Sequence, residues 1–389
     1  MNNRLGQMTL FQDTGGDPRA AAAQFADVLA LYGAIGDAVC GNPLGFARKK
    51  AATAVSLAQS AQTEPALCNA VYFAGMLHAI GAIGNASFRK GERLSERLAR
   101  MESWDVPAQG ARFCQELEAL PPATADLVRW QAECWDGTGY PDQLRWHGIP
   151  PCAMLLALAD AYARAPETED ILPAVAMQSG RAYGPEIART FTMWFHMSGG
   201  EVDAVEPPLD ALTGVDDRQI GALLDTIADR VDAHNGVEGR WRRIARLAEQ
   251  TADIMALDAP AKRALGLAVR LYGTGETGER ELSEISFDPL ARLGIDERTA
   301  HALAAAALLE GNATLAAAAP VLRARGEWFD GTGKPDGLLH KALPTAAAIL
   351  AAAIAYDQLG HKDRIDTAAG TQFDPQVVRA ILEAARAIA

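Results

Sequence analysis

An aromatic residue followed by Asp-Gly-Thr-Gly-x-Pro-Asp occurs twice in this chain, as Trp135 to Asp142 and as Phe329 to Asp336, 194 positions apart. The glycines give each loop backbone dihedrals that other residues resist. Within the shared pattern one position differs, Tyr140 in the first copy and Lys334 in the second. A lysine there either stays in solvent or contacts a phosphate. Other local patterns that do chemistry are missing. There is no nucleophile elbow with a Ser-His-Asp set, no P-loop and no Gly-x-Gly-x-x-Gly before a helix. The five cysteines, Cys40, Cys68, Cys114, Cys134 and Cys152, all lie in the first half and form no Cys-x-x-Cys pair. Reduced thiols explain that pattern better than a disulfide framework.

A repeat this long means two related domains rather than a solenoid of small units. The elements around the loops read as helices. Ile244, Leu247, Ala248 and Thr251 fall on one helical face, as do Ala51, Val55 and Ala58. The tracts Ala302 to Leu309 and Ala346 to Tyr356 are apolar all round, as in buried helices. Turn signals at Gly84-Asn85, Asp136-Gly137 and Gly311-Asn312 separate the runs. Outside the loop, Gly45 to Ala51 matches Gly239 to Ala245, and Ile149-Pro150 matches Leu343-Pro344. Gly180 to Ile187 lines up with Gly370 to Val377. The expected organisation is all-α: an N-terminal segment 1–24, a first domain 25–200, a linker 201–221 and a second domain 222–389. Two such fused repeats can pack as a pseudo-two-fold pair, and a homodimer stays open.

Of the 389 residues 49% are hydrophobic, enough for two packed cores. The net charge of -13 argues against a nucleic-acid surface, although it leaves room for one small basic pocket. No basic stretch followed by an apolar core opens the chain, and the longest apolar run, Ala346 to Tyr356, is short for a membrane span. A cytoplasmic protein is expected. The aromatic and methionine-rich segment Phe191 to Met197 reads as helix core or as a seal between repeats.

These residues carry a family resemblance. The loop Trp135 to Pro141, with Gly139-Tyr140-Pro141, is similar to the signature of HD-GYP domains, a branch of the HD phosphohydrolase superfamily. The tail Gly370 to Val378 resembles that family's closing element. The resemblance implies helical bundles holding two or three metal ions, cyclic di-GMP hydrolysis, and a loop beside the substrate, which makes Tyr140 a contact candidate. The metals matter because adjacent cations acidify a bridging water and neutralise charge on the phosphate. At the positions matching the family's opening histidine stand Phe46 and Arg240, each followed two residues on by the family's arginine, Arg48 or Arg242. The naming His-Asp pair reads His78-Ala79 in the first repeat and falls within Arg270 to Thr274 in the second. The next histidine falls near Val106 and near Ala300, the histidine cluster before the loop becomes Trp130-Gln131-Ala132 and Ala324-Arg325-Gly326, and the late aspartate is Asp160 or Ile354.

On this alignment His78 and Asp160 are the vestigial metal candidates, and the second repeat keeps no ligand. A half-buried structural histidine, and an Asp160 paired with Arg48 or facing a polar pocket, are the plainer readings. Arg240, Arg270 and Arg325 stand at ligand positions and can hold a phosphate by bidentate bonds without supplying a hydrolytic water. Their alternative is a surface position or pairing with Glu327 or Asp330. The expected protein is a regulatory one without a cofactor, sensing a phosphorylated small molecule such as a cyclic dinucleotide, or docking a protein partner. A residual phosphodiesterase with iron or manganese in the first domain is the other possibility. A scaffold without ligand predicts a cavity filled by Phe46, Val106 and Ile354; a nucleotide sensor predicts an open one lined by arginines.

Overall fold

Close approaches between small residues set the helix packing. The computed structural model describes residues 16–84, 105–166, 170–277, 296–309, 311–359 and 362–388. The sequence also suggests a loose start over the first 20 residues; of these, 1–15 lie outside the described residues, as does Asn85 of the first turn signal, while Pro18 already opens a helix. Among the described residues there is no strand, and pairing outside helices is limited to isolated bridges such as Asp330 with Leu339.

The chain divides into two units, one over 16–216 and one from 217 onward. The first contains α1 (Pro18–Val39), α2 (Phe46–Ser60), α3 (Pro65–Met76), α4 (Asp105–Glu116), α5 (Ala123–Trp130), α6 (Pro151–Arg164), α7 (Leu172–Gln178) and α8 (Pro185–Ser198). The second contains α9 (Asp217–His234), α10 (Arg240–Ile254), α11 (Ala259–Leu271), α12 (Glu297–Ala307), α13 (Ala318–Arg323), α14 (Thr345–Leu359), α15 (Lys362–Thr367) and α16 (Pro375–Ile388). Helix α1 begins at Pro18, ahead of position 25. The expected linker is split, because Thr213 donates its amide to the Ala119 carbonyl within the first unit while α9 starts at Asp217.

The same local devices recur in both units. Asp17 and Asp258 cap α1 and α11 with their carboxylates, each followed by an early proline. Gly45 and Gly239, at φ 87° and 71°, turn the chain into α2 and α10. A buried aspartate of the preceding helix then takes the first amides: Ala47 donates to Asp37 at 3.0 Å, and Trp241 to Asp232 at 2.8 Å. Gly75 lies against Ala51, joining α3 to α2. After α3 and α11 the chain crosses α4 and α12 so closely that a Cβ on Gly81 would strike the Val106 carbonyl, and one on Gly275 the His301 carbonyl. Val106 and His301 are therefore equivalent. The apolar stretch Pro65–Ala82 is long enough to cross a membrane, but 78% of it is buried in the unit, which marks it as core.

Each signature loop is fastened by a buried glutamate just before it. Glu133 receives the amides of Asp142 (2.6 Å) and Leu144 (2.9 Å); Glu327 receives those of Asp336 (2.5 Å) and Leu338 (2.8 Å). Gly139 and Gly333 press on the backbone of the same segments. Gly333→Ala would drive a Cβ into the Trp328 amide and should cost about 3 kcal/mol. Gly221→Ala, on α9 with open space around it, should be neutral or stabilise by up to about 1 kcal/mol. Urea unfolding of both variants checks this; equal effects would contradict it.

Candidate functional site

In the first unit the position of the expected metal centre is occupied by a lysine. Arg48, Lys49 and Lys50 run together in sequence, yet the first two are exposed and Lys50 is buried, one helical turn after Phe46. Its ammonium lies 3.0 Å from Asp160 Oδ1 and 2.8 Å from Gln131 Oε1. The Gln131 amide donates to the His78 carbonyl at 3.0 Å. Arg164 takes the other oxygen of Asp160 at 2.7 Å, donates to Asn42 at 2.8 Å and lies over the Phe46 ring. The partners of Asp160 are thus Lys50 and Arg164, not Arg48, which faces solvent on the far side of α2. His78 packs its ring on Phe46, and its Nδ1 donates to the Gly75 carbonyl at 3.1 Å. Its Nε2 has no hydrogen-bond partner.

The electrostatics follow from this packing. Burial would raise the Asp160 carboxyl, but the charges of Lys50 and Arg164 outweigh it and hold the group well below the usual carboxylate range. Burial, then the Lys50 charge, lowers His78 to about 3, so the imidazole is neutral. Burial also pulls Lys50 down from its ordinary value, with Asp160 opposing. Asp37, on α1, is pushed up to about 7 by burial despite its bond from Ala47.

The second unit keeps an open cavity of about 300 Å³ whose wall includes Arg240, Arg325, Glu276, His301, Trp328 and Ile354. Arg240 reaches Glu276 at 2.9 Å and Asp232 at 3.7 Å and lies over Tyr272. Arg325 donates to the Arg298 carbonyl at 2.8 Å and also faces the Tyr272 ring. Arg270 is elsewhere: it pairs with Asp225 at 2.6 Å and stacks on Trp241. The Gly81–Gly275 equivalence explains why. It matches His78 with Tyr272, so Arg270 lies two residues early, on another face of α11. The same equivalence puts His301, rather than Ala300, opposite Val106, so the second repeat has a histidine at the position that the resemblance matches with a family histidine. None of the three arginines pairs with Glu327 or Asp330. Glu327 holds the loop, and Asp330 bonds the Thr332 amide and hydroxyl.

The loop candidates are less central. Lys334 is exposed and outside the cavity wall, and Tyr140 is half-buried with its amide on the Ala132 carbonyl. Residues that the sequence reading missed are Lys50, Gln131 as its partner, Arg164, Glu276 and His301. Only helical phase, four residues from Phe46 to Lys50, pointed to the first of them.

Residues 38–179, and again 222–375, match the HD domain family. The chain belongs to that family. Over 107 residues it is 30% identical to a cyclic di-GMP phosphodiesterase of Vibrio cholerae, a match covering 25% of this chain and 21% of that protein. The chain therefore spans about a fifth of that relative's length. The crystal structure of a cyclic GMP-AMP-specific phosphodiesterase of V. cholerae superposes with a TM-score of 0.65 at 17% identity, covering 93% of this chain and 97% of that one, which shows a shared fold.

HD domains hold metals with converging histidines and carboxylates, and the residues here do not fit such a centre. In the first repeat the bridging carboxylate position is Ala79, and Asp160 is already neutralised by an ammonium and a guanidinium. His78 Nε2 offers one lone pair, since Nδ1 carries the proton given to the Gly75 carbonyl. In the second, Arg240 and Arg325 bring positive charge to the place where a cation would sit. Among the described residues no group of three or more His, Cys, Asp or Glu side chains could hold a metal ion.

Lys50→Met should destabilise the first repeat by about 3 kcal/mol, because it leaves Asp160 half compensated. Lys50→Met combined with Asp160→Leu should recover a large part of that loss. Hydrogen exchange of α2 and α6 reports it, and a single-variant cost near zero would contradict the pairing. A pH effect is also expected. Folded Asp37 holds a proton between about 4 and 7 that the unfolded chain lacks, so its contribution is full at low pH and lost as pH rises through 7. Folded His78 refuses, down to about 3, a proton that the unfolded chain takes near 6.5, so its contribution is lost as pH falls below 6.5. Between pH 7 and 5 the two oppose. Asp37→Asn should expose a loss of up to about 1.4 kcal/mol per pH unit on acidification, and His78→Gln a gain. Urea midpoints at pH 5, 6 and 7 decide; equal slopes in the two variants would refute the assignment.

Proposed function

We propose that this chain is a regulatory HD domain protein that binds a phosphorylated small molecule in its second repeat. The observation that carries the reading is the cavity with Arg240 and Arg325 in its wall, at positions that match family metal ligands. Guanidinium groups hold phosphate oxygens through directed, charge-assisted bonds but generate no nucleophilic water. A volume of about 300 Å³ is at the small end for ligand sites and admits a phosphate with part of a nucleotide, the remainder lying in the open mouth. Trp328, partly exposed there, offers an aromatic face to a base. Names borne by the relatives point to cyclic dinucleotides as the ligand class. Arg270, Tyr140 and Lys334 make no contribution to this cavity. Residual hydrolysis with iron or manganese held by His78 and Asp160 would require Lys50 to leave Asp160, so the first repeat is read as a closed structural domain without a resident metal.

Titration calorimetry with cyclic di-GMP and with cyclic GMP-AMP, in buffer containing EDTA, tests the proposal. Saturable binding is expected without turnover. Replacing Arg240 and Arg325 by alanine should weaken it by about a hundredfold, roughly tenfold for each lost charged contact. Absence of binding, or unchanged affinity in the variant, would favour a protein-docking role instead.

A further inference from the structure

The cavity of the second repeat already contains an anion of its own. Glu276 ends the three-ten turn Tyr272–Glu276, and its side chain is 12% exposed. One carboxylate oxygen receives Arg240 at 2.9 Å and Asn235 at 3.4 Å. Its charge is also the largest favourable influence on Arg325. The equivalent position in the first repeat is Ala82, where no arginine needs an acid. We infer that Glu276 is a built-in competitor for the anion site, its carboxylate bound to Arg240 and facing Arg325 where an incoming phosphate would sit, so that a ligand binds by displacing it.

This rests on the anion-pocket reading above and adds a selectivity rule to it. Arg240 keeps Asp232 as a second partner, so moving Glu276 aside does not strand the guanidinium. The displaced carboxylate can turn into the open mouth and regain water. A monoanion offers Arg240 and Arg325 no more charge than Glu276 already does, whereas a polyphosphate does. The site should therefore reject acetate and accept pyrophosphate. Competition of this kind lowers apparent affinity by the fraction of time the site is self-occupied.

Calorimetry with inorganic pyrophosphate on the full chain tests the inference, using wild type, Glu276→Gln, Glu276→Asp and the Arg240→Ala/Arg325→Ala double variant. Glu276→Gln keeps an oxygen for Arg240 and preserves the fold, while Glu276→Asp withdraws the carboxylate at unchanged net charge. Thermal melts confirm that each variant is folded. About tenfold tighter binding by Glu276→Gln, a smaller gain by Glu276→Asp, and loss in the double variant are expected. If wild type binds and both Glu276 variants match it, the competitor is overturned while the pocket stands. If the double variant binds like wild type, or nothing binds including Glu276→Gln, the pocket itself falls and the inference with it.

Discussion

A carboxylate withdrawn from water needs an opposite charge beside it, and the first repeat is organised around that need at Asp160. That charge comes from the chain, through Lys50 at 3.0 Å and Arg164 at 2.7 Å. The rest of the cavity follows from this choice. Gln131 accepts from a second of the lysine donors while tying it to the His78 backbone. Phe46 fills space between the His78 ring and the Arg164 guanidinium. An acid in place of Ala79 would add a second buried negative charge to that of Asp160.

The second repeat reaches charge balance on the same scaffold by other means. Ile354 stands for Asp160 and Ile244 for Lys50, so both members of the first pair are gone together. Arg240 stands for Phe46, Arg325 for Gln131 and Glu276 for Ala82, and these bring a new set of opposite charges. The helix-capping aspartates, Asp37 and Asp232, stay the same in both. What differs is space. Two arginines and a glutamate stand around a cavity in the second repeat, whereas in the first a lysine is held between aspartate and glutamine. The two repeats therefore differ in the charges of this region even though their backbones follow one plan.

The fold was legible in the sequence because its signals are local. Alanine-rich helical periodicity, glycine turns and the 194-residue repeat all survive without knowledge of tertiary contacts. The site was legible only where a position could be counted from a motif, as for Phe46, His78, Asp160 and Arg325. Lys50 was hidden in a basic run that reads as a solvated face, and only the phase of α2 turns it inward. Arg270 and Tyr272 differ by two residues, which on a helix is a different face, so a shift of two positions separates a buried arginine paired with Asp225 from the ring over which Arg240 and Arg325 lie. His301 was missed by one position for the same reason, where a close Gly275 crossing rather than a sequence motif fixes the register.

The parts of the signature loop serve the fold. Its leading aromatic bonds the tail element, Trp135 to the Ala182 carbonyl and Phe329 to that of Gln372. Its closing aspartate pairs with the helix before it, Asp142 with Arg129 and Asp336 with Arg323. Its glycines lie against backbone that no side chain could share, and Glu133 or Glu327 neutralises the amides the turn exposes. The bonds to the tail element span more than forty residues of sequence, so the loop fastens the end of each repeat to its middle. The presence of the loop thus reports architecture, and activity has to be judged from the charges in the cavity, which differ between the two repeats.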